Sequence, residues 1–339
     1  MPRRQRIHVP KGTYFVVDAF RANEMLVAAP VGGHTDADLR RFGEYRAQYE
    51  AQLSYATTRW CAHVHLHCWL PGTALLEVQI AWAPLECIMR SLRQPYTHFI
   101  HKRAGLSGDV YAGRYRAWLL EPRWIPDLRR NILWRPVRAG LCGNPLDYPH
   151  TTLNCRCNLC SRSHFQTWLK DQGIVTRSAL TQFLSAPPTA NFPSLLRGSP
   201  YDRRIIGSPD FVRRARRAHK RASLSAPPTL VIDWVASLLK IPPRSILYPR
   251  ARSPSDLPRS LIAWLTSSTN TASTSAVAKW FADTDRLQLH RGIDRYLSNR
   301  PDLFREETLQ QFVQFLGTVQ SVHAANEPLV ASQRRQVAS

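Results

Sequence analysis

The stretch Thr58–Pro84, TRWCAHVHLHCWLPGTALLEVQIAWAP, is the part of the chain from which the fold is most readily inferred. Apolar and polar residues alternate on both sides of the pair Pro71-Gly72. Alternation with a period of two is typical of a strand with two different faces, and a Pro-Gly pair is typical of a turn. The stretch therefore predicts two strands joined as a hairpin.

The segments on either side of this hairpin alternate between strand-like and helix-like patterns. Residues 12–20 are rich in aromatic and β-branched residues and predict a strand, and 114–120 predicts a further extended segment. Apolar residues recur at helical spacing in 36–55, 85–102 and 124–134. This mixture of hairpin strands and helices predicts an α+β fold.

The charge of the chain points to a polyanionic partner. Its 339 residues carry 46 Lys and Arg against 24 Asp and Glu, which gives a net charge of +22. Such an excess suits the phosphates of nucleic acid, so we expect DNA, single-stranded hairpin or duplex, as the partner. The sequence has neither a long apolar run nor a signal peptide, and its seven cysteines are an odd number. We therefore expect a cytoplasmic protein without a membrane partner.

The composition along the chain predicts five segments. Residues 1–150 form the α+β domain, 151–184 a cysteine-rich loop with helices, and 185–228 a linker that contains a basic helix. Residues 229–322 form a helical domain, and 323–339 a flexible tail. Within the helical domain the predicted helices are 230–239, 256–266, 273–281, 286–297 and 306–322.

Four separated blocks of the first domain resemble the REP-associated tyrosine transposases in order and spacing. They are RIHVPKGTYFVVDA (6–19), VHLHCWLPGTALLEV (64–78), 85–120, and RRNILWRPVRAGLCGNPLDYPHTTL (129–153). The resemblance implies a ferredoxin-like antiparallel sheet with helices. It also implies an ancestral reaction in which two histidines hold a divalent metal and a tyrosine attacks single-stranded DNA.

The resemblance fails at the positions that carry this chemistry. It places the two metal-binding histidines at Thr73 and Leu75, and the nucleophilic tyrosine at Asn131. Two further functional positions hold Ala112 and Arg135. The positions that fit the family are Gly113, Arg114, Pro136, Arg138, Gly140, Asp147, Tyr148 and Pro149. The pattern predicts a domesticated transposase that binds DNA without cleaving it, and catalytic Mg²⁺ or Mn²⁺ is not expected.

Two alternatives remain open at the level of sequence. His63 and His65, with His67 in step on one strand face, are a second source of metal ligands, and Tyr111 or Tyr115 would then be a displaced nucleophile. In that case the protein would be an active single-strand transposase or nickase. Alternatively, the chain is a DNA-targeting subunit that positions DNA for a partner nuclease or transposase.

The segment NCRCNLCSRSH (154–164) predicts a structural zinc site. Cys155, Cys157, Cys160 and His164 are tetrahedral zinc ligands by type. Their spacing is tighter than that of the usual paired zinc knuckles, so reduced surface thiols are the alternative.

The region 257–297 resembles the helix-turn-helix domain that some REP-associated transposases carry, with a plain helical bundle as the alternative. Ser273 would begin the first helix, and Asp283 or Asp285 would cap the recognition helix. We expect the DNA-contacting residues to be two arginines of the first domain together with residues of the basic and recognition helices. They are Arg114, Arg138, Arg213, Arg214, Arg216, Arg217, Lys220, Arg221, Arg286, Gln288, His290, Arg291 and Arg295.

Overall fold

A computed structural model describes most of the chain and divides it into two compact units, Met1–Lys220 and Arg221–Ser339. The described residues are 6–21, 36–105, 107–154, 167, 169–171, 173–185, 196–221, 226–248, 256–281 and 283–320. The predicted tail 323–339 lies outside them. In the part of the chain that the structure describes, no helix combines the length and the apolarity that a bilayer crossing requires.

The first unit has a mixed α+β fold, as the sequence predicts. Its elements are β1 (Thr13–Ala19), α1 (Asp36–Arg59), β2 (His63–Leu70), β3 (Thr73–Gln79), α2 (Leu85–Ala104), β4 (Arg116–Leu120), α3 (Ile125–Leu133), α4 (Arg135–Arg138), α5 (Arg177–Ser185), β5 (Ile205–Ile206) and α6 (Pro209–Arg221). The strand order is β2-β3-β1-β4-β5. The first four strands are antiparallel in the ferredoxin-like order, and β5 adds a parallel pair at the edge.

The sheet separates two apolar layers. One face of β1 and β3, with Val16 and Leu76, packs against buried residues of α1 and α2. The opposite face, with Val17 and Leu75, packs against Leu128 and other residues of α3. We call these the α2 face and the α3 face of the sheet. Both faces of the sheet are covered, so consecutive residues of β1 and β3 are buried on whichever face they lie.

The region 185–228, predicted as a linker with a basic helix, does contain that helix as α6, but its described part also packs on the first unit. Leu119 and Leu120 pair with Ile205 and Ile206, so the segment adds a strand to the sheet. Val212 and Ala215 of α6 are buried in the core on the α2 face. The Ser- and Pro-rich composition suggested a solvated connection, but its few apolar residues are spaced to pack on the first unit.

The second unit is all-helical over its described residues. Its helices are α7 (Pro228–Leu239), α8 (Pro243–Leu247), α9 (Asp256–Ser268), α10 (Thr274–Ala278), α11 (Arg286–Asn299) and α12 (306–320). Helix α9 is buried along much of its length and packs against α7, α10 and α11. Gly292 of α11 lies so close to the Ser260 side chain of α9 that a Cβ atom would collide with it. A glycine at this point permits the two helices to approach closely.

Candidate nucleic-acid interface

The α3 face holds the positions at which the resemblance places catalytic residues. Leu75 is buried with Val17 and Cys68 in the apolar layer, and Thr73 begins β3 next to the hairpin turn. Asn131 is fully buried in α3. An isobutyl side chain offers no metal ligand, and a site packed in this way has no room for a phosphodiester at Leu75.

Polar groups near these positions are paired with one another. Arg129 donates two hydrogen bonds to Glu77, at 2.6 Å each, and both side chains are buried. Asn131 donates to the carbonyl of Asp127, and its Oδ1 accepts a hydrogen bond of 3.1 Å from Arg138. The carboxylate of Glu77 and the amide of Asn131 are therefore bonded within the fold, and these residues serve packing and pairing on the α3 face.

Arg138 has a local role that sequence reasoning missed. The hydrogen bond of Arg138 to Asn131 ties α4 to α3, although Arg138 stays exposed. Burial, assisted by the nearby positive charge of Arg138, lowers the pKa of Arg135. Ala112 is exposed in the loop before β4, and its N–H donates to the carbonyl of Ala19.

The three histidines of β2 do not share one strand face, so that expectation is wrong. The pairing with β3 shifts between Val64 and Leu66, which is a β-bulge. His63 pairs with Gln79, whereas His67 pairs with Leu76, whose side chain lies on the other face. His67 is buried, stacks on Trp69 at 4.7 Å and contacts Thr152, while His65 hydrogen-bonds Gln79 at 2.8 Å. Among the described residues, no group of three or more His, Cys, Asp or Glu is arranged to hold a metal ion.

The two candidate displaced tyrosines are buried beneath arginine side chains. Tyr111 and Tyr115 are 7% and 8% exposed. Burial raises the pKa of Tyr111 well above its usual value and that of Tyr115 to about 12. The guanidinium of Arg93 lies 3.8 Å from the Tyr111 ring centre, and that of Arg6 lies 3.7 Å from the Tyr115 ring centre. These tyrosines therefore form the aromatic floor under two arginines.

The arginines above this floor line a cavity of about 400 Å³ beside α2. Arg6, Arg90, Arg93 and Arg114 contribute four guanidinium groups, against one carboxylate from Glu86. Arg90 and Arg114 are exposed and make no hydrogen bond or ion pair with the described residues. Burial and the neighbouring charges of Arg114 and Arg93 lower the pKa of Arg6. Like charges gathered in this way are stabilised by an anionic ligand.

A second cavity of about 700 Å³ shares Arg6, Arg114 and Tyr115 with the first. It adds Arg116, Arg203 and Arg204, together with the exposed ring of Tyr201. Its buried carboxylate, Asp202, is occupied by Arg204 and Arg216. Burial acts to raise the pKa of Asp202, but these hydrogen bonds lower it to about 2. We call the two connected cavities the arginine cleft.

The basic helix α6 presents its cations on one broad face, not on several faces as its sequence suggested. Val212 and Ala215 face the core, and the backbone N–H of His8 donates to His219. The exposed cations of the opposite face are Arg213, Arg214, Arg216, Arg217 and Lys220. Arg216 is engaged with Asp202 and the carbonyl of Tyr201, and Arg213 with Asp210. Arg221 ends the helix, and its side chain lies outside the described part.

In the second unit, the described geometry defines both ends of the turn before α11. The hydroxyl of Ser273 accepts a hydrogen bond from the N–H of Ala276 and caps α10. Asp285, and not Asp283, caps α11. Asp283 instead pairs with the buried Arg259 at 2.7 Å. The loop between α10 and α11 is thereby fixed to α9.

The exposed positions of α11 differ in how free their side chains are. Gln288 accepts from the backbone of Asp285 in a capping box, so the prediction that it contacts DNA is weakened. Arg286 lies near His290, with 3.4 Å between Nε and Nε2. Arg295 is 3.7 Å from Asp256, and Arg291 is exposed. Leu287, at the N-terminal end of the same helix, is 55% exposed.

The predicted zinc ligands Cys155, Cys157, Cys160 and His164 lie outside the described residues. The structure therefore gives no geometry for that site, and zinc binding stays a prediction.

Comparison with known proteins gives one distant similarity. No protein-family model and no curated protein matches the chain. Among solved structures, it is similar to a REP-associated tyrosine transposase bound to a REP hairpin, with 14% identity and a TM-score of 0.36. The match covers 45% of this chain and 82% of that chain. At this TM-score it does not assign the chain to that family.

Sequence reasoning named only some of the cations that the structure gathers in the arginine cleft and on α6. It predicted Arg114 and the cations of α6, but it missed Arg6, Arg90, Arg93 and Arg203. These residues belong to the N-terminal segment, α2 and the turn before β5, which are far apart in the sequence. Their only sequence signal was the general excess of arginine.

Proposed function

We propose that this protein binds DNA through recognition of a particular sequence or hairpin. The observation that carries the proposal is the arginine cleft, where Arg90 and Arg114 lack any partner among the described residues. Guanidinium groups that a fold leaves unpaired in a concave site are suited to phosphate oxygens, which accept two parallel hydrogen bonds. Nearby aromatic surface, such as the exposed ring of Tyr201, suits unstacked bases.

We further propose that α10 and α11 act as a helix-turn-helix element. The proposal is supported by the capped start of α11 and by the exposure of Arg286 and Arg291 near that end. The N-terminal residues of a recognition helix are the ones that reach base edges in the major groove. In this arrangement α11 would distinguish sequences, and the arginine cleft and α6 would supply phosphate contacts.

We also propose that the protein derives from a REP-associated tyrosine transposase and has lost strand cleavage. Burial of Leu75 and the pairing of Asn131 with Arg138 support this view, because both positions serve packing. Purified protein incubated with labelled hairpin and single-stranded DNA in Mg²⁺ or Mn²⁺ should form neither a nicked product nor a covalent adduct on a denaturing gel. An adduct that disappears in Tyr111→Phe or Tyr115→Phe would overturn the loss of catalysis.

The binding proposal is tested by measuring affinity for hairpin, single-stranded and duplex DNA as a function of salt. The double variant R90A/R114A should reduce the slope of log K against log salt concentration by about 2, since two phosphate contacts are lost. The matched control R40A/K102A removes the same charge from exposed helix positions outside the cleft. Equal slopes in the two double variants would contradict the cleft as the interface.

Sequence recognition by α11 has a separate readout. Arg286→Ala and Arg291→Ala should reduce discrimination between a selected site and random duplex, and Arg214→Ala and Arg217→Ala should weaken binding to both equally. The selected site comes from sequencing the genomic fragments that the wild-type protein retains. Retention of no specific fragment would contradict autonomous recognition and favour the subunit alternative.

A further inference from the structure

Glu86 is the one carboxylate among the described residues that line the first cavity of the arginine cleft, where every other charged side chain is an arginine. It lines the 400 Å³ cavity of the arginine cleft together with Arg6, Arg90, Arg93 and Arg114. Its side chain is half-buried, at the start of α2. Despite the four neighbouring guanidinium groups, Glu86 forms no hydrogen bond or ion pair with any described residue. Its carboxylate is therefore available to a ligand.

A carboxylate in this position argues against phosphate as the only ligand group, because it repels phosphate oxygens and reduces the positive potential of the cavity. It is well suited to a ligand that carries both an anion and hydrogen-bond donors. A nucleotide has this combination, with a phosphate at one end and the N–H groups of a base at the other. The cavity volume lies within the range of sites that enclose a small molecule or a single nucleotide.

The side walls of the cavity also suit a base. Arg6 is held against the Tyr115 ring and donates a 3.2 Å hydrogen bond to the Tyr115 carbonyl. Arg93 is held against Tyr111 and donates a 2.6 Å hydrogen bond to the carbonyl of Gly113. An arginine plane fixed in this way is a surface on which an unstacked base can lie.

We propose that this cavity binds one unstacked nucleotide of a single strand and that Glu86 selects its base. This inference rests on the proposed DNA binding and deepens it. Guanine offers N1–H and N2–H side by side, so it can donate both to one carboxylate. Adenine and cytosine offer one amino group each, beside ring acceptors. Thymine has one N–H between two carbonyls that repel Glu86, so the expected order is guanine, then adenine and cytosine, then thymine.

The test measures binding of the full chain to short oligothymidylates that carry a single central guanine, adenine, cytosine or thymine. The wild-type protein should bind the guanine probe about tenfold more tightly than the all-thymine probe, which is typical of one good bidentate contact. In E86Q the ratio should fall to about twofold or less, because an amide cannot accept both donors.

Removal of a negative charge raises affinity for any DNA. The test of base selection is therefore the ratio of the affinities for the guanine and thymine probes, and not the affinity for either probe. D109N is the matched control, because Asp109 is 81% exposed and does not line the cavity. It should leave the guanine-to-thymine ratio unchanged. Thermal unfolding of both variants checks that they are folded.

Three results would overturn the inference. One is a wild-type protein without base preference, and another is an E86Q variant that keeps the wild-type ratio. The third is a protein that binds duplex but no single strand; this would leave the proposed DNA binding intact. Failure to bind any DNA would overturn both proposals together.

Discussion

The two faces of the sheet in the first unit differ in whether their charged side chains are paired within the fold. On the α3 face, Glu77 and Arg129 are buried and bonded to each other through two hydrogen bonds. Beside α2, Arg90 and Arg114 are exposed in a cavity and pair with no described residue. The first arrangement satisfies charge within the fold, whereas the second leaves it for a ligand. Arg129, close to a position at which the resemblance places a catalytic residue, is thus held within the fold, whereas Arg90 and Arg114, which the sequence does not distinguish by pairing, are left without a described partner.

The largest effect should come from breaking the pair on the α3 face. Arg129→Met leaves Glu77 buried without a partner, so we expect the free energy of unfolding to fall by about 3–5 kcal/mol. Urea denaturation followed by circular dichroism measures this loss. The double variant E77L/R129M should recover most of it, because no uncompensated charge remains. A single variant as stable as wild type would show that the pair is not structural.

Asp18 links the core on the α2 face to the cleft and should produce a smaller, pH-dependent effect. Burial raises the pKa of Asp18 from 3.8 to about 6, although Arg93 at 3.4 Å and the hydroxyl of Tyr49 oppose the shift. The folded state therefore holds this proton more tightly than the unfolded chain. The stability that Asp18 contributes through this proton is fully present below about pH 4 and is lost as pH rises through about 6.

Asp18→Asn removes this titration. Relative to wild type, the variant should gain on the order of 2–3 kcal/mol of stability between pH 4 and pH 7. Denaturation of both proteins at a series of pH values gives the difference directly. A difference that stays constant across this window would mean that the carboxyl titrates at its ordinary value in the folded state.

Close packing in the second unit offers a test that is independent of charge. Gly292→Ala places a Cβ atom against the Ser260 side chain, and overpacking of this kind costs about 1–3 kcal/mol. The unfolding midpoint of the second unit should fall accordingly. Adding Ser260→Ala removes the hydroxyl with which the new atom collides and should restore part of the loss. If Gly292→Ala were as stable as wild type, α9 and α11 would not approach each other as described.

The smallest effect on stability should come from the cleft itself. Arg114→Ala removes an exposed side chain without a described partner, so the free energy of unfolding should change by less than about 0.5 kcal/mol. DNA affinity should nevertheless fall, which separates binding from folding. A large loss of stability in this variant would mean that the cleft arginines are structural, like Arg129, and the contrast between the two faces would collapse.

Local sequence patterns were sufficient for most of the elements. The alternation around Pro71-Gly72 predicted β2 and β3, and the recurrence of apolar residues predicted α1, α2 and α11. The cap at Asp285 was one of two predicted choices, and the structure selects it because Asp283 is taken by Arg259. The strands and helices depend on neighbours within a few residues, so they can be predicted from the chain alone, whereas the choice between the two caps depends on Arg259, 24 residues from Asp283.

Other features depend on which distant residues meet, and the sequence did not contain them in readable form. The bulge in β2 turns His67 away from the face of His63, because the register with β3 shifts by one residue. The strand β5 and the packing of α6 on the sheet were not predicted, since two residues of strand pairing and two buried side chains leave almost no compositional signal.

The amino-acid sequence was sufficient to predict the α+β class, the approximate positions of the main helices and strands, and the surplus of positive charge. Local periodicity and composition carry that information. The positions of the charged groups in space came from the tertiary structure. It pairs Arg129 with Glu77, and it gathers Arg6, Arg90, Arg93 and Arg114 around one cavity with Glu86. The physical reason is that pairing and convergence of side chains depend on the folding of distant segments onto one sheet, and residue spacing along the chain does not encode those distances.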